Sequence, residues 1–236
     1  LEASQNLSRM TNGVFDITVG PLVDLWGFGA EYKQEAVPSL EEINAAKRLV
    51  NWQGIKLNDG LAEKKHNLRV DLSAIAKGYA VDQVALALKE LSIENYLVEV
   101  GGEISVSGSN KSRESWVLGI EQPNISGRKA YTTISLNNNS LATSGDYRNY
   151  FEINGERFSH TINPKTGYPI KHRLASVSVI AESCMESDAL ATALMVLGEK
   201  EGYQFALKEN INAYFIYREN ESYKTIYTPG FESYLN

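Results

Sequence analysis

The sequence has little of what marks a specialised class of protein. Its one cysteine, Cys184, allows no disulfide within the chain. No apolar run approaches the roughly 20 residues that span a bilayer, and there is no repeat or low-complexity tract. A dense basic stretch is also absent and the net charge is −6, which argues against a nucleic-acid partner. What remains is a globular chain of 236 residues, 43% apolar, that can bury a core without a metal or a disulfide.

Helical and extended patterns follow one another irregularly. Apolar spacing and capping residues predict helices over residues 39–50, 74–91, 185–197 and 200–209. Alternating or continuous apolar runs predict strands at 55–59, 68–72, 96–100, 115–121, 131–136, 146–153, 157–162, 174–181, 213–217 and 223–227. Residues 13–29 have no clear period and predict a shaped loop. Because strands and helices do not alternate as βαβ units, the pattern favours an α+β fold with mixed, largely antiparallel sheets.

The segment RFSHTINPKTGYPI, residues 157–170, is the strongest local indication of a site. His160 lies between the hydroxyl residues Ser159 and Thr161, and turn-forming residues follow. An imidazole held by such a loop could act as a general base near neutral pH. A hairpin with a surface histidine of no chemical role fits the same residues, and this segment alone favours that simpler interpretation.

Asp188 and Thr192 lie four residues apart in a predicted helix, so both side chains project from one face. A carboxylate beside a hydroxyl suits a hard divalent cation such as Mg²⁺, which prefers oxygen ligands. The spacing alone favours the simpler interpretation of an Asp stabilised by the helix dipole and an ordinary Thr.

Glycines recur in three segments, SAIAKGYA (73–80), VGGEI (100–104) and ATSGDY (142–147). None matches a P-loop or the dinucleotide fingerprint, and Ser144 is not in a nucleophile elbow. Such glycines would let the backbone approach a phosphate or a flat ring, although each one alone is typical of a turn.

Taken together, six segments resemble one family. DITVGPLVDLWGFG, VDLSAIAKGYAVD, YLVEVGGEI, ATSGDYRNYF, FSHTINPKTGYPI and SDALATALMVLG occur in the order seen in FAD:protein FMN transferases, the ApbE family. The resemblance extends over residues 9–228. A single motif is only moderately specific, whereas six in the same order make a chance match very improbable.

The resemblance implies a function. Members bind FAD and Mg²⁺ and move the FMN part of FAD onto a Thr or Ser hydroxyl of a target protein, with release of AMP. Typical acceptors are redox subunits such as those of the sodium-pumping NADH:quinone reductase. The family fold has two packed β-sheet subdomains with flanking helices and FAD between them. Residues 1–236 are therefore expected to form one flavin-transferase domain.

The resemblance also implies roles for particular residues. The metal is expected on the side chains of Asp188 and Thr192 and the backbone carbonyl of Ala76. His160 is the expected catalytic base, with Asp146 as the second candidate. The residues expected to line the flavin nucleotide are Trp26, Gly27, Phe28, Lys77, Gly101, Gly102, Glu103, Ser144, Gly145 and Thr161.

Two departures from the family pattern bear on these expectations. Members carry a further N-terminal segment with a Met-Gly-Thr motif and a lipoprotein signal, which this sequence does not include. The resemblance places the protein at the periplasmic face of the inner membrane, held only by that lipid anchor. Ala191 stands where some members have Asp, so one metal ion is favoured over two.

Two other functions remain open at this point. One is a Mg²⁺-dependent FAD pyrophosphatase, in which water replaces the hydroxyl of the acceptor. The other is a flavin-binding or flavin-storage protein without catalysis. Release of AMP, with and without an acceptor protein, separates the three.

Overall fold

The computed structural model describes residues 1–29, 36–65, 67–123, 129–147 and 149–236. The helices are α1 (Glu2–Met10), α2 (Gly20–Leu25), α3 (Leu40–Lys47), α4 (Ala76–Glu90), α5 (Cys184–Lys208) and α6 (Pro229–Glu232). The strands are β1 (Ile55–Asn58), β2 (Leu61–Lys64), β3 (Tyr96–Val100), β4 (Glu103–Ser107), β5 (Trp116–Glu121), β6 (Ala130–Leu136), β7 (Ser140–Gly145), β8 (Tyr150–Ile153), β9 (Glu156–Ser159), β10 (Leu174–Ala181), β11 (Asn212–Glu219) and β12 (Ser222–Tyr227). All pairings between these strands are antiparallel, so the predicted α+β class is confirmed.

The chain divides into two compact units, each made of two separate stretches. Unit 1 consists of Leu1–Leu72 and Arg148–His172. It contains helices α1 to α3 and the hairpins β1–β2 and β8–β9. One core cluster of buried side chains draws on both stretches: Leu22, Trp26, Ile43, Phe151, Phe158 and Ile162.

Unit 2 consists of Ser73–Tyr147 and Arg173–Asn236. A six-stranded sheet runs through it in the order β12-β11-β10-β7-β4-β3, and β5 and β6 form a separate hairpin. Helix α5 packs on β7 and β10 and also against α4. The main core joins side chains of the sheet, the β5–β6 hairpin and α6: Val106, Leu118, Ile120, Ile134, Leu136, Leu141, Ile180, Tyr214, Ile216 and Phe231.

Helix α3 begins where its sequence predicts. The Ser39 side chain accepts a hydrogen bond from the Glu42 N–H, and the Glu42 carboxylate accepts one from the Ser39 N–H. This reciprocal capping box satisfies two backbone donors that the first turn of a helix leaves unpaired.

Helices α4 and α5 approach each other so closely that one position tolerates only glycine. A Cβ atom at Gly78 would lie 2.3 Å from the carbonyl oxygen of Cys184 and 2.7 Å from the Cα of Met185. A glycine inside a helix costs up to about 1 kcal/mol in propensity. Close packing of the two helices explains why that cost is accepted here.

The hairpin β1–β2 corrects one predicted strand. Asp59 and Gly60 form its two-residue turn with positive φ values of 47° and 78°. A turn this short requires the partner strand to follow at once, so Leu61–Lys64 pairs with β1. The prediction of a strand at 68–72 was therefore wrong, and those residues lie outside any helix or strand.

Three further differences concern the bounds of predicted elements. Residues 13–29 contain the short helix α2 and are not a loop throughout. The predicted strand at 146–153 is reduced to β8, with residue 148 outside the described residues, and β7 ends just before it. The two predicted helices at 185–209 are the halves of α5, interrupted at Gly198, where φ is 82°.

Among the described residues, no helix is both long enough and apolar enough to cross a membrane.

Candidate functional site

In unit 2, two buried carboxylates lie beside the first turn of α4. The Asp188 Oδ2 atom accepts a hydrogen bond of 3.0 Å from the backbone N–H of Gly78. The Lys77 ammonium lies 2.6 Å from Glu103 Oε1 and 3.6 Å from Asp188 Oδ1. The structure thus brings together three segments that are far apart in the sequence: the start of α4, the start of β4 and the first half of α5.

Burial sets the electrostatics of this group. Asp188 is 4% exposed and Glu103 is 3% exposed. Burial raises the pKa of Asp188, and the Gly78 N–H and the Lys77 ammonium oppose that rise. Burial raises the pKa of Glu103 as well, against the hydrogen bond from Lys77. A nearby cation therefore stabilises the ionised form of both carboxylates.

The other predicted metal ligands border the same group. Thr192 lies one helical turn after Asp188, and its Oγ1 is 3.4 Å from the Ser144 Oγ on β7. Ala76 is the first residue of α4 and precedes Lys77. The Glu103 Oε2 atom is buried without a hydrogen-bond partner among the described residues. Two carboxylates, one of them with an unsatisfied oxygen, and two hydroxyls are a donor set that fits a hard divalent cation.

A glycine turn lies next to the cluster. Gly101 and Gly102 connect β3 to β4 with φ values of 65° and 104°. A Cβ at Gly101 would lie 3.3 Å from the Lys77 Cδ, and one at Gly102 would meet no atom within 4 Å. The turn therefore presents bare backbone, as a bound phosphate would need.

Asp146, the second candidate base, is held by an arginine that the sequence did not single out. The Arg218 guanidinium on β11 donates to both carboxylate oxygens of Asp146, at 2.7 and 3.0 Å. A two-point ion pair of this kind is strong and fixes orientation. Asp146 would have to leave this pair to take a proton, so the geometry favours His160 as the base. Gly145 precedes it at the end of β7.

In unit 1, backbone contacts orient His160. Its backbone N–H donates to the carbonyl oxygen of Asn149 at 3.1 Å. The ring Nδ1 lies 2.9 Å from the same oxygen. A carbonyl only accepts, so Nδ1 carries the proton in the neutral ring and Nε2 carries the lone pair. Half-buried Thr161 follows, and its N–H donates to the Ser159 Oγ at 3.2 Å.

The aromatic segment 26–28 is the C-terminal cap of α2. Gly27 has a φ of 82°, its N–H donates to the Asp24 carbonyl, and the Phe28 N–H donates to the Val23 carbonyl. This Schellman motif requires a left-handed residue, which explains the glycine. Trp26 is 1% exposed, and its indole N–H donates to the Gly167 carbonyl at 2.8 Å.

The rings of this segment contact one another and the histidine. Trp26 stacks on Phe158 with centroids 5.5 Å apart, and Phe28 stacks on Phe151 at 5.4 Å. Phe28 also meets the His160 ring edge-on at 6.3 Å. Trp26 thus supports the loop from within the core of unit 1, while half-buried Phe28 borders the imidazole.

No three His, Cys, Asp or Glu side chains are grouped as a metal site within the ranges that the structure describes. The predicted ligand set has one carboxylate, one hydroxyl and one carbonyl, so it is not a cluster of that kind. The roles of these residues stay predictions. Sequence reasoning missed Arg218 and also Asp82, whose carboxylate accepts the N–H groups of Cys184 and Met185 at 2.8 and 2.9 Å.

Comparison with known proteins decides the family. The ApbE family model matches residues 1–215. The chain belongs to the ApbE family. One ApbE relative, the FAD:protein FMN transferase of Haemophilus influenzae, is 44% identical over 232 residues, which are 96% of this chain and 67% of the relative. The FAD:protein FMN transferase of Vibrio cholerae is 43% identical over 98% of this chain and 69% of its own length.

Solved ApbE structures share the fold. The apo flavinyl transferase ApbE of Pseudomonas stutzeri superposes with a TM-score of 0.90 at 41% identity, covering 99% of this chain and 72% of that one. The flavin transferase ApbE of Vibrio cholerae has a TM-score of 0.90 at 40% identity and covers 99% and 75%. The resemblance drawn from six sequence motifs is therefore confirmed as family membership.

Proposed function

We propose that this protein is a Mg²⁺-dependent FAD:protein FMN transferase that attaches FMN to a Thr or Ser hydroxyl of an acceptor protein and releases AMP. The observation that carries the proposal is the close relationship to proteins named FAD:protein FMN transferase, at 39–44% identity over 96–98% of this chain. The carboxylate cluster of unit 2 and the oriented imidazole of unit 1 supply the chemistry that such a reaction needs.

The groups around α4 suit the pyrophosphate of FAD. The N-terminus of α4 carries a partial positive charge, and Lys77 in its first turn adds a full one. The bare turn at Gly101 and Gly102 offers backbone N–H donors without steric hindrance. Ser144 and Gly145 at the end of β7 complete this side of the proposed nucleotide site.

Asp188, Thr192 and the Ala76 carbonyl would hold Mg²⁺. When bound, the ion would offset the negative charge of the pyrophosphate and of the AMP leaving group. The protein's own part is to hold the carboxylate in place. The Gly78 N–H fixes Asp188 Oδ2, so the carboxylate cannot turn away. Thr192 is fixed by its place on the same helical face.

His160 would take the proton of the acceptor hydroxyl. The hydroxyl oxygen forms a bond to the phosphorus of the FMN part, and the bond from that phosphorus to the bridging oxygen breaks. The bridging oxygen leaves with its electron pair on AMP, and the hydroxyl proton passes to Nε2 of His160. The Asn149 carbonyl keeps the proton on Nδ1, so Nε2 stays the basic atom of the neutral ring.

The acceptor and the location are proposed from the family resemblance alone. We take the acceptor to be a membrane-bound redox subunit, such as one of the sodium-pumping NADH:quinone reductase. We place the reaction at the periplasmic face of the inner membrane, with a lipid anchor on a longer form of the chain.

The test is an incubation with FAD, MgCl₂ and a candidate redox subunit, followed by intact mass of the subunit and chromatography of the nucleotides. The proposal expects the subunit to gain one FMN through a phosphoester, with one AMP released for each FMN gained. Asp188→Asn, which keeps the shape and removes the charge, is expected to stop both, and Glu90→Gln at the exposed end of α4 is the matched control.

Two results would replace the proposal with its alternatives. Release of AMP at the same rate with and without any acceptor, and with no mass gain, would establish a pyrophosphatase. Tight FAD binding with no AMP release in MgCl₂ would establish a flavin-binding protein. Calorimetry adds a check on the ligand, since FAD is expected to bind more tightly than NAD.

A further inference from the structure

Lys77 lies between two buried carboxylates while its own side chain reaches solvent. The Lys77 side chain is 45% exposed, whereas the side chains of Glu103 and Asp188 are 4% and 5% exposed. The positive charge thus enters the cluster from outside, on a flexible four-carbon stem. The negative charges are fixed in place by a strand and a helix.

The charges of the cluster do not balance. Two carboxylates face one ammonium, so the group carries one net negative charge when both acids are ionised. Glu103 Oε2 is buried and has no hydrogen-bond partner in the part of the chain that the structure describes. An unpaired buried oxygen of this kind is costly. The cluster can therefore bind a further positive charge favourably.

The position of Lys77 in its helix also indicates that its ammonium can be displaced from the carboxylates. Lys77 is the second residue of α4, where the helix dipole disfavours a cation. Its stem passes the bare Cα of Gly101, since a Cβ there would lie 3.3 Å from Lys77 Cδ. The ammonium can therefore leave the carboxylates by side-chain rotation, with the backbone of α4 unchanged.

We propose that Lys77 is a resident counter-ion that leaves Asp188 and Glu103 when a divalent cation binds, and that its ammonium then pairs with a phosphate oxygen of the dinucleotide. This inference rests on the proposed function, from which it takes the cation and the pyrophosphate. Charge arithmetic supports it. The two carboxylates with the divalent ion are neutral, so the displaced ammonium is left as a full positive charge that a phosphate can neutralise.

The exchange couples the two ligands. The cation must displace Lys77, which weakens binding of the cation alone. The freed ammonium then strengthens binding of the dinucleotide, and by linkage the dinucleotide strengthens binding of the cation by the same factor. Lys77 would therefore act as a specificity device that makes the protein bind the metal well only together with a phosphate ligand.

The test measures MgCl₂ binding by calorimetry, without FAD, in the wild type, Lys77→Met and Lys77→Arg. Met has a similar stem and no charge, so Lys77→Met should bind Mg²⁺ at least about fivefold more tightly, the lower end of typical coupling factors. Lys77→Arg keeps the charge and should resemble the wild type. In saturating MgCl₂, Lys77→Met should bind FAD more weakly than the wild type.

Thermal unfolding gives a second measurement, which remains informative if Lys77→Met is less stable than the wild type. Lys77→Met leaves two buried carboxylates without their cation, so its melting temperature without metal should fall. MgCl₂ should then raise the melting temperature of Lys77→Met by more than that of the wild type, because a tighter ligand stabilises more.

The failures of the two proposals differ. Equal or weaker Mg²⁺ binding by Lys77→Met, while Asp188→Asn removes Mg²⁺ binding, would overturn the exchange and leave the transferase proposal intact. Absence of Mg²⁺ binding in the wild type and in Lys77→Met, together with full flavin transfer by Asp188→Asn, would overturn the metal part of the transferase proposal and the exchange with it.

Discussion

The hydrogen bonds of His160 determine which ring nitrogen carries the proton in the neutral side chain. The carbonyl of Asn149 accepts from both the backbone N–H and the Nδ1–H of His160, and rotation of the ring would break the second of these bonds. The segment that carries the histidine is fixed as well. The Asn163 Oδ1 accepts the N–H groups of Lys165 and Thr166, and the Gly167 N–H donates to the Asn163 carbonyl.

His160→Ala should lower flavin transfer by about 100- to 10,000-fold, the usual contribution of a positioned general base. FAD affinity should change little, because the imidazole is proposed to act on the acceptor hydroxyl. The transfer rate, FAD affinity by calorimetry and the melting temperature are measured on the same variant. Full transfer activity would disprove the role as base. A lower transfer rate accompanied by a lower melting temperature would instead assign His160 to the stability of the hairpin.

Asp16 gives unit 1 a pH dependence of definite sign. Its carboxylate accepts from the Thr18 N–H, the Thr18 hydroxyl and the Trp52 N–H, at 2.7, 2.6 and 3.2 Å. Burial nevertheless raises the pKa of Asp16 above its ordinary value of 3.8. The native state therefore holds the proton more tightly than the unfolded state does, and the stability from this group is present below 3.8 and lost as the pH rises through the native pKa.

The wild type should therefore lose stability relative to Asp16→Asn as the pH rises from about 4 to 7. Broken hydrogen bonds in the variant add only a constant offset, since they do not depend on pH. Urea unfolding of both proteins across this range measures the difference, in which all other ionisable groups cancel. A difference that stays flat, or that favours the wild type more at higher pH, would contradict the raised pKa.

The sequence located some site residues better than it explained them. Asp188 and Thr192 could be paired from their four-residue spacing, because a helix puts them on one face whatever surrounds it. Trp26 is different, since its burial depends on Phe158 and Gly167, which are more than a hundred residues away. Arg218 could not be found at all, because only the pairing of strands in the sheet brings it to Asp146.

At the scale of elements, α4 and α5 cap each other. The Asp188 carboxylate of α5 accepts the Gly78 N–H of α4, and the Asp82 carboxylate of α4 accepts the N–H groups of Cys184 and Met185 at the start of α5. Each carboxylate lies at the positive end of the other helix, where it is stabilised. This pairing positions the first turn of α4 against Asp188 and so builds the cluster.

Asp82→Ala should destabilise the protein by about 2 kcal/mol, since it removes two hydrogen bonds to a charged acceptor. Asp82→Asn should lose less, because its amide oxygen still accepts one N–H. Urea unfolding measures both, and Glu90→Ala on the exposed last turn of α4 is the control, with a change within about 0.5 kcal/mol. If Asp82→Ala and Glu90→Ala had the same small effect, the mutual capping would carry no stability.

Elements were predictable where local chemistry decides them. The capping box of Ser39 and Glu42 fixed the start of α3, and Gly198 fixed the break in α5. The errors arose where a turn had to be matched with its partner strand. Asp59-Gly60 indicates a turn, but the sequence does not reveal the strand that follows it, because Leu61–Lys64 is exposed at every position and lacks an apolar pattern.

At the scale of the whole molecule, the chain interleaves its two units. Residues 148–172 belong to unit 1, although they lie in the sequence between β7 and β10 of unit 2. They carry Phe151, Phe158 and Ile162, half of the buried cluster of unit 1. Without residues 148–172, residues 1–72 therefore lack half of this cluster, whereas the sheet of unit 2 uses none of them.

This asymmetry predicts which part of the chain folds by itself. Strands β7 and β10 are antiparallel neighbours, with Gly145 opposite Ser176 and the Asp146 N–H bonded to the Ala175 carbonyl at 3.0 Å. The two ends of the 148–172 segment thus leave the sheet side by side. A short Asn-Gly turn can join them, because antiparallel neighbours need only about two connecting residues.

A chain of residues 73–147 joined by that turn to residues 173–236 should therefore unfold cooperatively in urea and keep the far-ultraviolet circular dichroism of a mixed fold. Residues 1–72 alone should show no cooperative transition. The cluster of Lys77, Glu103, Asp188 and Thr192 lies entirely within the shortened chain, so MgCl₂ should still raise its melting temperature. Asp188→Asn in the same chain is the control and should abolish that rise. A cooperative transition in residues 1–72 but none in the shortened chain would reverse the assignment of the self-sufficient core.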